Sequence, residues 1–157
     1  MIEGVIIKKL NKNDDQRGWL AEIWRSDEAP ILESGKGYKP VMSYISVTKP
    51  GKVRGPHEHV KQYDCFVFAG PGTFEIYLWD NRKKSETNGE YLKIKVGEKN
   101  QTLVVVPPGV VHGYKCVSNI DGWCVNLPNK LYRGKNKKEE VDEIRWEEEA
   151  NGPYVIK

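Results

Sequence analysis

No stretch of this chain approaches the run of about 18 apolar residues that a membrane-spanning helix needs, so none is expected. Cysteine is scarce. Cys65, Cys116 and Cys124 are odd in number and show no CxxC spacing, which argues against a disulfide framework and for a reducing, cytoplasmic setting. The amino-terminal MIEGVIIKKLNKND has a short apolar patch but no small-residue cleavage site, so no secretory signal is expected. An excess of one charge is missing too: 25 Lys and Arg face 22 Asp and Glu, a net of +3. That balance excludes an electrostatic footprint for nucleic acid, yet it tolerates an anionic small molecule. There is no internal repeat and no linker, and 157 residues suit one domain with a core large enough to stand without metal or disulfide staples.

What is present in quantity is turn and strand chemistry: 15 Gly, 9 Pro, 8 Tyr, 5 Trp and 3 Phe. Residues 43–48, 63–69, 73–79, 91–96, 102–106, 110–117 and 122–127 are rich in β-branched and aromatic side chains and are predicted strands. Gly/Pro/Asn-rich turns separate them, with no room for crossover helices, so an antiparallel all-β sandwich or barrel is expected and a parallel βαβ sheet is not. The N-terminal part reads as a strand at 4–10, a polar turn NKNDDQRG, and a second strand-like stretch WLAEIWR. The densely charged 133–149 has no clear period; a short helix and a charged surface arm are both open, with solvated surface the default reading.

The three histidines are not scattered. His57 and His59 form HxH in RGPHEH, at the end of a Gly/Pro-bounded loop, and His112 sits in PPGVVHG after a second Pro/Gly turn. On an extended backbone, positions i and i+2 point the same way, so His57 and His59 can aim into one cavity. Asp64 follows closely, with Gln62 as a substitute oxygen donor. Imidazole nitrogens with a carboxylate oxygen form a set suited to Zn²⁺, Fe²⁺, Mn²⁺ or Ni²⁺; histidines filling a polar barrel and doing acid–base work without metal are the other reading.

The stretch from Gly51 to Gly70, GKVRGPHEHVKQYDCFVFAG, resembles the first motif of the cupin superfamily, and Pro107, Gly109 and His112 match the PxGxxH of the second. This implies a small single-domain cupin over 1–157: a jelly-roll β-barrel at about 40–128, with N-terminal strands and a short charged C-terminal segment. Further segments are similar to the dTDP-4-dehydrorhamnose 3,5-epimerases. DQRGWLAEIWR resembles their DxRGxFxExFR, VTKPGKVRGPHEH their SxxGxxRGxHxQ, FEIYLWDNRKKSETNGEYLKIKV their FDVxVDxRxxSPTFG region, and VVPPGVVHGY their IPxGFAHGF.

The resemblance implies an isomerase acting on a dTDP-4-keto-6-deoxyhexose-like nucleotide sugar, with no required cofactor. A ketone at C4 acidifies the hydrogens on C3 and C5, and a side-chain base removes them. In the family that base is the histidine of RGxH, which falls on His57; the family's phosphate-gripping arginines fall on Arg17 and Arg54, and Glu22 and His112 match residues of its substrate pocket. Trp19 and Trp24 are candidates to stack on a nucleobase or to pack in the core. The chain also departs from the family. The family's active-site lysine aligns near Asp64 and its general-acid tyrosine near Asn126, while a pocket glutamine and asparagine fall on Met42 and Tyr44. RGPHEH is closer to the RGxHAH loop of sugar-nucleotide 3,4-ketoisomerases, which points to divergent specificity and to both His57 and His59 as catalytic. Two alternatives stand beside this reading: a metal-dependent cupin, dioxygenase or phosphosugar isomerase, holding its ion on His57, His59, Asp64 and His112; or a non-catalytic sugar-binding cupin. The resemblance further implies a homodimer.

Overall fold

A computed structural model describes every residue except Glu33. Its regular structure is nearly all strand: β1 (Ile6–Lys9), β2 (Lys12–Asp15), β3 (Gly18–Ala21), β4 (Tyr44–Thr48), β5 (Val53–Glu58), β6 (Asp64–Phe68), β7 (Thr73–Asp80), β8 (Tyr91–Gly97), β9 (Thr102–Val106), β10 (Val110–Cys116), β11 (Gly122–Asn126) and β12 (Ile144–Arg145). One five-stranded sheet runs β1-β9-β6-β11-β4 and a second β12-β5-β10-β7-β8, while β2 and β3 form a separate hairpin. All the pairings are antiparallel. Successive strands change sheet between β4 and β7 and again between β8 and β11, the all-β jelly roll that the cupin resemblance implied.

Two apolar layers explain the strand sequences. Between the sheets lie Phe66, Phe68, Phe74, Ile76, Leu78, Val96, Val104 and Tyr114, with the rings of Phe68, Phe74 and Tyr114 within 5.0–5.5 Å of one another. On the outer side of the first sheet, Cys65, Val67, Leu103 and Val105 are covered by Leu10, Tyr38 and Leu127, with Trp24 packed alongside. β6 and β9 are therefore buried on both faces and read as unbroken apolar runs, whereas β8, YLKIKV, alternates because one of its faces meets water.

Three expectations need correction. Residues 53–58, read as part of a loop because of Gly55 and Pro56, form strand β5 at the side of β10; HxH sits on and just beyond its end. The polar 11–18 is not all turn, since Lys12–Asp15 pairs with Gly18–Ala21 to make the hairpin. The charged C-terminal segment is not simply solvated surface: Ile144 and Arg145 pair with Glu58 and His57, closing the edge of the second sheet. One outer strand of each sheet, β1 and β12, thus comes from outside 40–128. β1 pairs with β9 of its own chain.

Candidate active site

Pairing across β5 and β10 builds the site. His57 lies opposite His112, while the next pair on the same ladder is Arg54 opposite Tyr114. One residue separates His112 from Tyr114 but two separate Arg54 from His57, so β5 carries a one-residue bulge. Strict alternation would place Arg54 and His57 on opposite faces; the bulge turns both toward the space between the sheets. Gly55 makes this possible. Its φ is +80°, and a Cβ there would lie 2.7 Å from the His112 carbonyl oxygen, so a side chain is barred by both conformation and space.

His57, His59 and His112 converge, with ring centroids 4.6 Å (His57–His112), 5.5 Å (His57–His59) and 5.8 Å (His59–His112) apart. Asp64, at the start of β6 in the facing sheet, is buried at their centre. Its Oδ2 lies 3.0 Å from His59 Nε2 and 3.1 Å from His112 Nε2, and its Oδ1 accepts from Gln62 Nε2 at 2.9 Å and Asn126 Nδ2 at 2.8 Å. Burial alone would raise the Asp64 carboxyl, but the imidazoles hold it well below the usual carboxylate range. For His59, burial works against the charged ring, and the Asp64 hydrogen bond and charge overcome it, raising its pKa. His57 goes the other way. Burial first, then the neighbouring His112 and His59, push its pKa down to about 2, so its ring is neutral across the ordinary pH range.

Backbone carbonyls settle two tautomers. His112 Nδ1 lies 2.9 Å from the Val110 carbonyl, and His59 Nδ1 meets the Asp142 carbonyl; a carbonyl can only accept, so both Nδ1 atoms carry hydrogen. Both Nε2 atoms then face Asp64.

The C-terminal segment supplies what sequence reading missed. Asp142 caps the loop after β5, its carboxylate accepting from the Val60 and Lys61 amides at 2.9 and 3.0 Å. Next to it, Glu143 places Oε1 3.5 Å from His57 Nδ1, and Arg145 donates to Glu143 Oε2 from Nε at 3.0 Å and from Nη2 at 2.8 Å. The Glu143 side chain is 13% exposed, so this carboxylate faces the histidine from a largely desolvated position. The sole hint in the sequence was the density of acids in EEVDEIRWEEE, which looks the same as any solvated arm.

His57, His59 and Gln62 line a cavity together with Met42, Tyr44, Tyr132 and the Asp142–Glu143–Arg145 strap. Asp64 and His112 lie buried behind His57 and His59. Arg54 stands on the same strand as His57 but is held by Thr48 Oγ1 at 3.0 Å and the Val47 carbonyl at 2.7 Å. Arg17 lies at the tip of the β2–β3 hairpin, 90% exposed and paired with Asp15 at 2.5 Å. Glu22 pairs with Arg25 at 3.1 Å and lines a separate groove beside Trp24. The structure does not bring Arg17 or Glu22 into the histidine cavity of the same chain. Trp24 is half-buried in the outer apolar layer and Trp19 is exposed.

Comparison with known proteins agrees with this architecture. The family model described as dTDP-4-dehydrorhamnose 3,5-epimerase matches residues 1–151. A Haloferax volcanii protein, named as a probable low-salt glycan biosynthesis epimerase (Agl13), is 37% identical over 142 residues, 88% of this chain and 86% of that one. The Bacillus subtilis spore coat polysaccharide biosynthesis protein SpsL is 33% identical over 152 residues, 97% of this chain and 95% of its own length. Among solved structures, a dTDP sugar isomerase of Desulfovibrio desulfuricans superposes with a TM-score of 0.81 at 21% identity, covering 98% of this chain and 91% of that one, a likeness of fold. With a whole-length family match and relatives above 30% identity on the same fold, this chain belongs to the dTDP-4-dehydrorhamnose 3,5-epimerase family.

Proposed function

We propose that this protein is a sugar-nucleotide epimerase or ketoisomerase in which His57 takes a proton from a carbon next to the sugar ketone. The observation that carries this is the His57 ring: neutral, turned into the cavity, and backed by the Glu143 carboxylate at Nδ1. With Nδ1 facing Glu143 at 3.5 Å, Nε2 is the nitrogen left to accept the substrate proton, and the nearby carboxylate favours the imidazolium that forms. Glu143 is thus a positioning residue for the base. Behind it, His59 and His112 hold the buried Asp64 carboxylate through their Nε2 atoms. Lys130, Arg133 and Arg145 line the same cavity and suit a diphosphate, nearer than Arg17. The three buried, unpaired thiols support a reducing, cytoplasmic setting.

The test is incubation with a dTDP-4-keto-6-deoxyhexose in D₂O, read by NMR. Deuterium at C3 or C5, abolished by His57→Ala, is the expected result; no exchange with any nucleotide 4-ketosugar would sink the reading.

A second reading is favoured by one observation. With both Nδ1 atoms committed to carbonyls, the Nε2 atoms of His59 and His112 converge on a carboxylate, an arrangement that either protons or a divalent cation can complete. One donor atom from each of His57, His59, Asp64 and His112 lies within 4.8 Å of the others. These residues would hold Zn²⁺, Fe²⁺, Mn²⁺ or Ni²⁺, which would supply Lewis-acid polarisation of a carbonyl. Elemental analysis of protein purified without chelator separates the readings: stoichiometric metal lost in His59→Ala favours the second, and metal-free protein that still exchanges favours the first.

We also infer that two copies associate. Ile45 and Val47 on edge strand β4 and Trp123 beside them on β11 are 58%, 42% and 44% exposed, a contiguous apolar strip that a second copy of the same strip would cover.

A further inference from the structure

Inverting a carbon needs two groups, one that removes hydrogen from one face and one that delivers it to the other. His57 approaches the cavity from the second sheet. In the resemblance described above the family's tyrosine acid falls near Asn126, whose amide cannot give up a proton at neutral pH.

Asn126 is fully committed. Its Oδ1 accepts from the Cys65 amide at 3.0 Å, which fixes the side-chain amide orientation. Nδ2 then spends one hydrogen on Asp64 Oδ1 at 2.8 Å and the other on the hydroxyl oxygen of Tyr44 at 2.9 Å. Tyr44 is the residue directly opposite Asn126 on the neighbouring strand β4. Its face of β4 is the interior one, since two residues on Ser46 Oγ meets Tyr114 Oη at 2.8 Å and two further Thr48 accepts from Arg54. So Tyr44 enters the cavity from the first sheet, facing the sheet that carries His57. Because an amide nitrogen has no lone pair to offer, the phenol hydrogen cannot go to Asn126, and among the described residues it has no acceptor. It is free to point into the cavity.

We propose that Tyr44 is the general acid of this enzyme, standing one strand away from the family's position and held there by Asn126. The proposal rests on the epimerase reading above. His57 removes the C–H proton, and the bonding pair becomes an enolate with its charge on the ketone oxygen. As the C=O re-forms, the carbon takes the Tyr44 hydroxyl proton on the opposite face. His57 is left as imidazolium and Tyr44 as phenolate, steadied by the Asn126 N–H. The imidazolium returns its proton to water and the phenolate takes one from water, so the substrate is isomerised with no net redox change. Burial holds the phenol up at about 12, against the opposing pull of the Asn126 bond, so it is protonated when the cycle begins. The residue as a whole is 45% exposed, which leaves a route for reprotonation from solvent.

The experiment is Tyr44→Phe assayed in D₂O with a dTDP-4-keto-6-deoxyhexose, following by NMR both deuterium entry and inversion, with circular dichroism and Tm as checks on folding. The expected result is deuterium entry within about tenfold of wild type, because His57 still removes the proton and returns a solvent deuteron to the same face, while inversion falls by roughly a hundredfold or more. Inversion at the wild-type rate overturns the assignment. So does a folded Tyr44→Phe protein that has lost exchange as well, which would make Tyr44 a binding group, and so does the expected signature appearing in Tyr132→Phe instead. Absence of exchange in the wild type is a different outcome: it removes the epimerase reading itself.

Discussion

Under the proposed function, the approach of Glu143 to within 3.5 Å of His57 Nδ1 sets how that ring works. The first histidine of HxH is legible as a candidate base through the RGxH resemblance, but the carboxylate facing it lies 86 positions later in a stretch with no motif. If Glu143 orients the ring, Glu143→Gln removes that charge without changing shape. Steady-state kinetics should show kcat reduced roughly a hundredfold with KM little changed, the pattern of an interaction made in the transition state. A rise in KM alone would instead place Glu143 in substrate binding. Gly55 carries the other residue-scale prediction. Gly55→Ala forces a methyl toward the His112 carbonyl at a left-handed φ, and should cost about 1–3 kcal/mol, read as a lowered denaturation midpoint, together with loss of exchange as His57 and His112 separate.

At the scale of elements, the turn after β7 is tied down by one buried carboxylate. Asp80 accepts from Arg82 Nε and Nη2, Ser85 Oγ and Thr87 Oγ1 at 2.6–2.9 Å, and Arg82 reaches on to the Glu3 carbonyl at 2.7 Å, joining the N-terminus to the β7–β8 connection. Burial by itself would raise the Asp80 pKa; Arg82, Ser85 and Thr87 outweigh it and hold it well below the usual range. A carboxyl lowered in the folded state stabilises fully above its unfolded value of about 3.9, and the contribution fades as pH falls from there toward the folded value. Asp80→Ala should therefore cost about 3 kcal/mol at neutral pH, a Tm lower by roughly 6–12 °C, with the gap to wild type narrowing below about pH 4. A gap independent of pH would show that packing, not charge, is what the substitution removes. Most strands were legible from β-branched and aromatic runs between turns. β5 was not, since Gly55 and Pro56 are loop formers locally and the strand exists through its pairing with β10.

For the molecule as a whole, the apolar strip of Ile45, Val47 and Trp123 is what the folded chain leaves uncovered along β4 and β11. Trp123→Glu places a charge in that strip without touching the core. Light scattering should show wild type as a dimer and the variant as a monomer over the same concentrations, with Tm changed by no more than the loss of association accounts for; a monomeric wild type refutes the interface. What the sequence by itself determined is the all-β class, the alternation of buried and exposed positions, and the identity of the imidazoles and carboxylate available for chemistry, because these depend on local propensity and on residue type. What only the tertiary structure decided is which groups meet. The bulge that turns His57 and Arg54 to one side, the strap that sets Glu143 on His57, and the Asn126 amide that aims Tyr44 all arise from pairings between distant strands, and local sequence carries no signal for those.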